Sequence, residues 1–146
     1  MKKKLNVKRI AVMCVILFAG YNLLWAGWRF CRYHPYGKGM KVFRKHMSYV
    51  YTDQDGYLYN VKQPDYLIYS GNLCVAAPDE SCALLIWPNI VKGYRYGAQV
   101  NKNNITYSIM LENDLNPRDM QYSDLISEYS DRIQELKNKA AKQWNI

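Results

Sequence analysis

The sequence predicts an α+β protein: one N-terminal transmembrane helix, then a small antiparallel sheet of about five to seven strands with a C-terminal amphipathic helix packed on it. Three observations carry that prediction. Residues 10–28, IAVMCVILFAGYNLLWAGW, contain no charged side chain. Residues 46–111 alternate apolar and polar positions with a period of two between clusters of turn residues. From residue 117 the period lengthens to that of a helix.

The apolar run, residues 10–28, is the expected signal-anchor. As a helix its 19 residues rise roughly 28 Å, close to the thickness of a bilayer's hydrocarbon core. Lys2, Lys3, Lys4, Lys8 and Arg9 precede it, forming a basic tail over residues 1–9. Trp25 and Trp28 close it where an aromatic interface belt would lie. A cleaved secretory signal begins the same way, but cleavage needs small residues one and three positions before the cut. For cuts after Gly20, Ala26 or Gly27, the third position back is Phe18, Leu24 or Trp25, so an uncleaved anchor is expected. Cys14 lies inside the run and Cys31 beyond it, which fits neither as a lipoprotein cysteine. Asn22 reads either as a tolerated amide near the interface or as a helix–helix contact, since an amide in lipid wants a partner.

The net charge of +8 is unevenly spread. Of the 20 Lys and Arg residues, five lie in residues 1–9 and six in the basic linker, residues 29–45, with no acid in either stretch. The domain over residues 46–146 therefore sets nine cations against all 12 acids, a net of −3. A basic protein often binds nucleic acid, but cations placed beside a span fit anionic lipid headgroups, so nucleic acid is excluded. Arg29, Arg32, Lys38 and Lys41, with Trp25 and Trp28, are the expected headgroup contacts. Cations flank the span on both sides, yet the five packed against its start favour an N-terminus inside.

Within the domain, residues 40–46 read as a short helical turn. Strands are expected at residues 49–51, 57–59, 66–69, 73–76, 82–87, 94–100 and 105–111. Asp55-Gly56 supplies the turn chemistry of the first hairpin, and residues 101–104, NKNN, that of the last. Residues 82–87, CALLIW, are apolar throughout and should form the central strand. Asn116 fits an N-cap, Pro117 the first helical position and Asp119 the positive helix end. One helix over about residues 117–143 would then carry the stripe Tyr122, Leu125, Ile126, Tyr129, Ile133, Leu136, Ala140, with Trp144 at its end.

Cys74 and Cys82 bracket a hairpin-like turn. They read either as a disulfide of an extracytoplasmic domain or as two small reduced residues on neighbouring strands. Cys31, His34 and His46 have a zinc-like look, but no fourth ligand is near and six cations oppose a dication, so neither metal nor cofactor is expected. Residues 53–56, DQDG, resemble the middle of a calcium loop, but Tyr51 and Lys62 stand where its outer ligands belong. Ser70 and Ser81 lack the glycine frame of a nucleophile elbow.

Tyrosine is the positive signal. There are 14, and Tyr49/Tyr51, Tyr57/Tyr59 and Tyr94/Tyr96 each share a strand face. They form either a half-buried face beneath the helix or an exposed aromatic binding face with Arg95 at its centre. The second reading names Tyr94, Arg95, Tyr96, Tyr57 and Tyr59 as the candidate binding residues. The functional expectation is a single-pass protein of a bacterial plasma membrane. Its extracytoplasmic domain would bind a protein partner without catalysis, as an inhibitor, an immunity factor or an accessory subunit of an envelope complex. The alternatives are an envelope enzyme using Asp53, Asp55, Glu112 and Asp114 on cell-wall or lipid substrates, which requires carboxylates converging in a pocket, and a cytoplasmic binding module tethered to the membrane.

Overall fold

A computed structural model describes residues 7–43, 48–89, 91 and 93–146. Helix α1 (Val7–Tyr33) extends the apolar run at both ends and is long and apolar enough to cross a membrane. It stops before Pro35, whose ring cannot continue a helix, and a 3-10 turn, Pro35–Gly37, follows. Seven antiparallel strands then form one meander in chain order. These are β1 (Lys41–Phe43), β2 (Ser48–Thr52), β3 (Leu58–Lys62), β4 (Asn72–Ala76), β5 (Cys82–Pro88), β6 (Tyr94–Lys102) and β7 (Ile105–Leu111). Strand β4 is the middle one of the seven; its neighbour β5, expected to be central, is an interior strand that carries Cys82, Leu84 and Ile86 into the core. Helices α2 (Ser123–Glu128) and α3 (Ser130–Trp144) complete the chain, with α3 packed across β4 and β5.

Period two decides which side chains meet α3. Tyr59, Val61, Leu73, Val75, Leu84, Ile86, Ala98, Val100, Ile109 and Leu111 point to the helix side and are buried. From α3, Ile133, Leu136, Ala140 and Trp144 descend onto them at steps of three and four. Tyr33, the last residue of α1, joins the same core at 1% exposure. Its hydroxyl accepts a hydrogen bond of 2.7 Å from the Gly71 amide. Residues 29–43 are accordingly a helix end, a turn and an edge strand docked on the domain, where a linker was expected; residues 44–45 lie outside the described residues.

Four sequence expectations change. Residues 41–43 form edge strand β1 and no helical turn, because Val42 and Phe43 pair with Tyr49 and Ser48; residues 44–46 lie outside the described residues. Residues 66–69 form no strand: Leu67 takes φ +67, a left-handed conformation incompatible with a ladder. Pro117 does not begin a helix but makes an isolated bridge to Leu111. Asp119 then caps a 3-10 turn (Met120–Tyr122) by accepting from the Gln121 amide. Finally, the single C-terminal helix is two, broken at Tyr129. The bend keeps Ile126 against Leu115 and Pro117 while α3 turns across the sheet.

The sheet's other face has no helix over it among the described residues. It presents Phe43, Val50, Leu58, Asn60, Cys74, Ala83, Leu85, Trp87, Gln99 and Met110, half-buried or exposed. The Trp87 indole lies across Gly97, where an added Cβ would meet the ring at 2.9 Å and the Ile109 carbonyl at 3.1 Å. Gly97→Ala is therefore expected to destabilise the domain by about 1–3 kcal/mol. Thermal unfolding in detergent micelles reads this directly, and an unchanged midpoint would refute the close approach.

Candidate functional site: the membrane-proximal junction and the open sheet face

The junction is built where α1 enters the domain. Trp25, buried, donates its indole N–H to the Ile68 carbonyl at 3.0 Å, and Trp28 donates to the Tyr69 carbonyl at 3.2 Å. Arg32 reaches the Asn89 carbonyl in the β5–β6 loop. Arg29 stacks over the Trp25 ring at 5.0 Å, while Lys38 and Lys41 are exposed. Tyr36 meets Tyr94 hydroxyl to hydroxyl at 3.4 Å, and burial together with that contact pushes the Tyr36 phenol up to about 12. The Trp144 indole donates to the Tyr36 carbonyl at 3.1 Å. The C-terminal end of α3 thus closes on the turn that follows the apolar helix. His34 contacts the Tyr49 hydroxyl at 3.2 Å and stacks on Phe30, while neighbouring Cys31 is exposed. His46 lies outside the described residues, and among those residues no three His, Cys, Asp or Glu side chains converge as metal ligands.

The tyrosines chosen as a binding face take the other reading. Tyr57 and Tyr59 are buried beneath α3, and Tyr94 and Tyr96 are half-buried on the same side. Arg95 alone of the five is fully exposed, because it points to the opposite face beside Trp87. The reason is register: Tyr59 pairs across from Val75, and Tyr96 from Ile86, both core residues. The Lys137 ammonium sits 5.1 Å from the centre of the Tyr96 ring, covering what an exposed hot spot would need free.

The Cys74 to Cys82 disulfide is also corrected. Both thiols are free, and they point to opposite faces of the sheet. Cys74 pairs with Leu85 on the open face, whereas Cys82 shares the core face with Leu84 and Ile86. Disulfide geometry requires Cβ atoms within about 4.5 Å and facing one another. Burial pushes each thiol up to about 11, so neither is a ready nucleophile.

Two of the four proposed catalytic carboxylates do meet, but around a cation. Asp53 and Asp55 converge on Lys139, at 3.4 and 2.9 Å, in a polar depression also lined by Tyr51, Tyr59 and Gln143. Asp53 accepts from the Asp55 and Tyr57 amides and from the Tyr59 hydroxyl, the bonding of a hairpin turn. Burial alone would raise its carboxyl; the Tyr57 amide, the Tyr59 hydroxyl and Lys139 outweigh that and hold it below the usual carboxylate range. Glu112 pairs instead with Arg118, and Asp114 caps Asn116. A carboxylate held below its usual range and engaged by amides and an ammonium, as Asp53 is, is poorly suited to proton transfer near neutral pH. A second polar group on α3, missed in the sequence, ties Arg132 to Asp79 and Glu135, with the Tyr57 hydroxyl donating to Glu135. The i,i+3 spacing of Arg132 and Glu135 is its one sequence signal.

These carboxylates give a signed pH dependence. Asp53, Asp79, Asp114 and Glu135 are all lowered on folding, so the stability they contribute is present above their unfolded values near pH 4 and is lost as pH falls through the folded ones. Urea unfolding is expected to need less denaturant at pH 3 than at pH 7, and Asp53→Asn is expected to flatten that difference. Equal midpoints at the two values would contradict the hydrogen bonding described.

Fold and junction together define the class: a small α+β domain carried on a single apolar helix long enough to cross a membrane. In comparisons with family models, curated proteins and solved structures, none matches this chain.

Proposed function

We propose that this chain is a single-pass protein of a bacterial plasma membrane, and that its domain binds a protein partner through the open sheet face without catalysis. An inhibitor, an immunity factor or an accessory subunit of an envelope complex would each use such a face. The observation that carries the reading is the composition of that face. Phe43, Trp87 and Met110 stand there beside Leu58, Leu85 and Arg95, and its charged residues, Lys41, Lys62 and Arg95, are all cationic. Aromatic side chains, Met and Arg with few acids make up the core of protein interfaces. The face is sheet rather than cleft, which suits a protein partner better than a small substrate. Against the enzyme reading stands the engagement of Asp53, Asp55, Glu112 and Asp114 in turns and ion pairs.

A photoreactive amino acid at Leu58 or Met110, introduced in cells, should yield one discrete adduct. The same residue at exposed Gln134 on α3 should yield none. Absence of adducts at the sheet positions, or equal adducts at all three, would overturn the reading.

The five cations before the apolar run, residues 10–28, support an extracytoplasmic domain. The free thiols of Cys74 and Cys82 favour a second reading, a cytoplasmic domain, because they remove the disulfide that argued for an oxidising compartment. Gln54, exposed in the β2–β3 turn, separates the two. With Cys14 and Cys31 replaced by alanine, a Gln54→Cys chain should react with a membrane-impermeant maleimide in intact cells if the domain is outside. If it reacts only after lysis, the domain is cytoplasmic.

A further inference from the structure

The loop between β3 and β4 has an apolar tip. Tyr66, Leu67, Ile68 and Tyr69 are all exposed, Leu67 by 57% and Tyr66 and Ile68 by 48% each. No charged residue occurs between Asp65 and Asp79, and Asp65 itself pairs with Lys62 at 3.1 Å at the neck of the loop. The loop does not project freely. It lies along one stripe of α1, formed by Tyr21, Trp25 and Trp28 at helical spacing. Tyr69 meets the Tyr21 ring at 6.4 Å and Tyr66 meets Trp25 at 5.2 Å, both edge to face. Seven residues of helix separate Tyr21 from Trp28, a rise of about 10 Å. That stretch is the last eight of the 19 residues of the apolar run, residues 10–28.

Several polar groups at this depth are satisfied within the protein. The Tyr66 hydroxyl donates to Asn22 Oδ1 at 2.7 Å, and Asn22 Nδ2 donates to the Phe18 carbonyl at 2.7 Å. The amide that stood out in the apolar run thus has partners on both sides. The carbonyls of Ile68 and Tyr69 accept from the two indoles, and the Ile68 amide donates to the Asp65 carbonyl. Irregular backbone near membrane depth is favoured where its N–H and C=O groups are bonded within the protein, as the Ile68 amide and the Ile68 and Tyr69 carbonyls are here. In water, two tryptophans, an asparagine and a tyrosine need no such pairing to be stable. The neighbouring β5–β6 loop, held by Arg32, extends the surface with Val91, 88% exposed.

We propose that residues 66–69 are a second membrane-embedded element. The loop tip enters the headgroup–acyl boundary of the leaflet beside α1, so that the domain grips the bilayer at two points and is held at a fixed tilt. Phospholipid is its partner, through acyl contact with Leu67 and Ile68 and headgroup contact at the Lys62 neck. The proposal rests on α1 spanning the membrane.

The test uses the full chain with Cys14 and Cys31 replaced by alanine and the buried Cys74 and Cys82 retained. An environment-sensitive fluorophore is attached at Leu67→Cys or Ile68→Cys, with Val15→Cys in α1 and Gln54→Cys at the far end of the sheet as references. In vesicles of phosphatidylcholine and phosphatidylglycerol, the loop probes should emit to the blue of the Gln54 probe. They should be quenched several-fold less by aqueous iodide and several-fold more by nitroxide-labelled lipid. If the Val15 probe reads lipid while both loop probes match Gln54, the loop is not embedded and the proposal is overturned, although the anchor stands. If the Val15 probe itself reads water, the anchoring reading fails and takes the proposal with it.

Discussion

A Gly71→Ala chain is expected to lose about 3 kcal/mol or more of stability, a large effect for one methyl group. Gly71 is buried where the β3–β4 loop re-enters the sheet, and its backbone conformation is not the issue. Space is. An added Cβ would stand 2.1 Å from the Lys62 carbonyl oxygen, 2.9 Å from Cε1 of Tyr33 and 3.1 Å from the Gln63 carbonyl carbon. Two of those three neighbours are backbone, so no side-chain rotation relieves the clash. Either the loop lifts off the end of β3, or Tyr33 withdraws and the hydrogen bond from the Gly71 amide is lost. Both routes detach the membrane helix from the core. Tyr33→Phe separates the contributions, because it keeps the ring and removes only the acceptor. It should cost about 1–3 kcal/mol, the desolvation penalty of an orphaned amide. Urea unfolding in micelles reports both losses, and proteolysis within residues 34–40 should accelerate in Gly71→Ala before global unfolding. Wild-type stability for Gly71→Ala would mean that loop and helix do not pack as described.

Where local chemistry decides structure, the sequence is a reliable guide. Asp55-Gly56 and residues 101–104 set their hairpins because Gly56, Asn103 and Asn104 take positive φ at low cost. The apolar run 82–87 marks an interior strand, one place from the middle of the sheet, because burial on one face and packing on the other both reject charge. Residues 66–69 mislead for a physical reason: Tyr-Leu-Ile-Tyr is strand-like in propensity, but its apolar surface is used against α1 and not in a ladder. The two cysteines mislead through register, since one slip along a strand moves a side chain to the other face and no spacing rule reveals which face each occupies. The tyrosines were legible as a shared face, and only the position of α3 determined which way that face turned. The junction was the least legible part. Tyr33, Gly71 and Trp144 are far apart in sequence, and only tertiary packing brings them together.

Trp144→Ala is expected to cost about 3–5 kcal/mol, the range for truncating a buried aromatic side chain. Trp144 is the last residue of α3, where a helix end would ordinarily fray, yet it is 8% exposed. Its ring meets Tyr59 edge to face at 5.9 Å, and Asn145 closes the helix in the left-handed conformation with its amide donating to the Ala141 carbonyl. The indole N–H then reaches back across nearly the whole chain to the Tyr36 carbonyl. Removing the ring opens a cavity beneath β3 and frees the turn that follows the membrane helix, so two consequences should appear together. Global stability should fall, and amide exchange in residues 36–40 should rise more than at the β6–β7 turn. Trp144→Phe refines the point: it fills most of the cavity and loses only the N–H donor, so its cost should be nearer about 1 kcal/mol. If Trp144→Ala lowered stability without loosening residues 36–40, α3 would support the sheet alone. The coupling of membrane helix to domain would then rest on Tyr33 and Gly71.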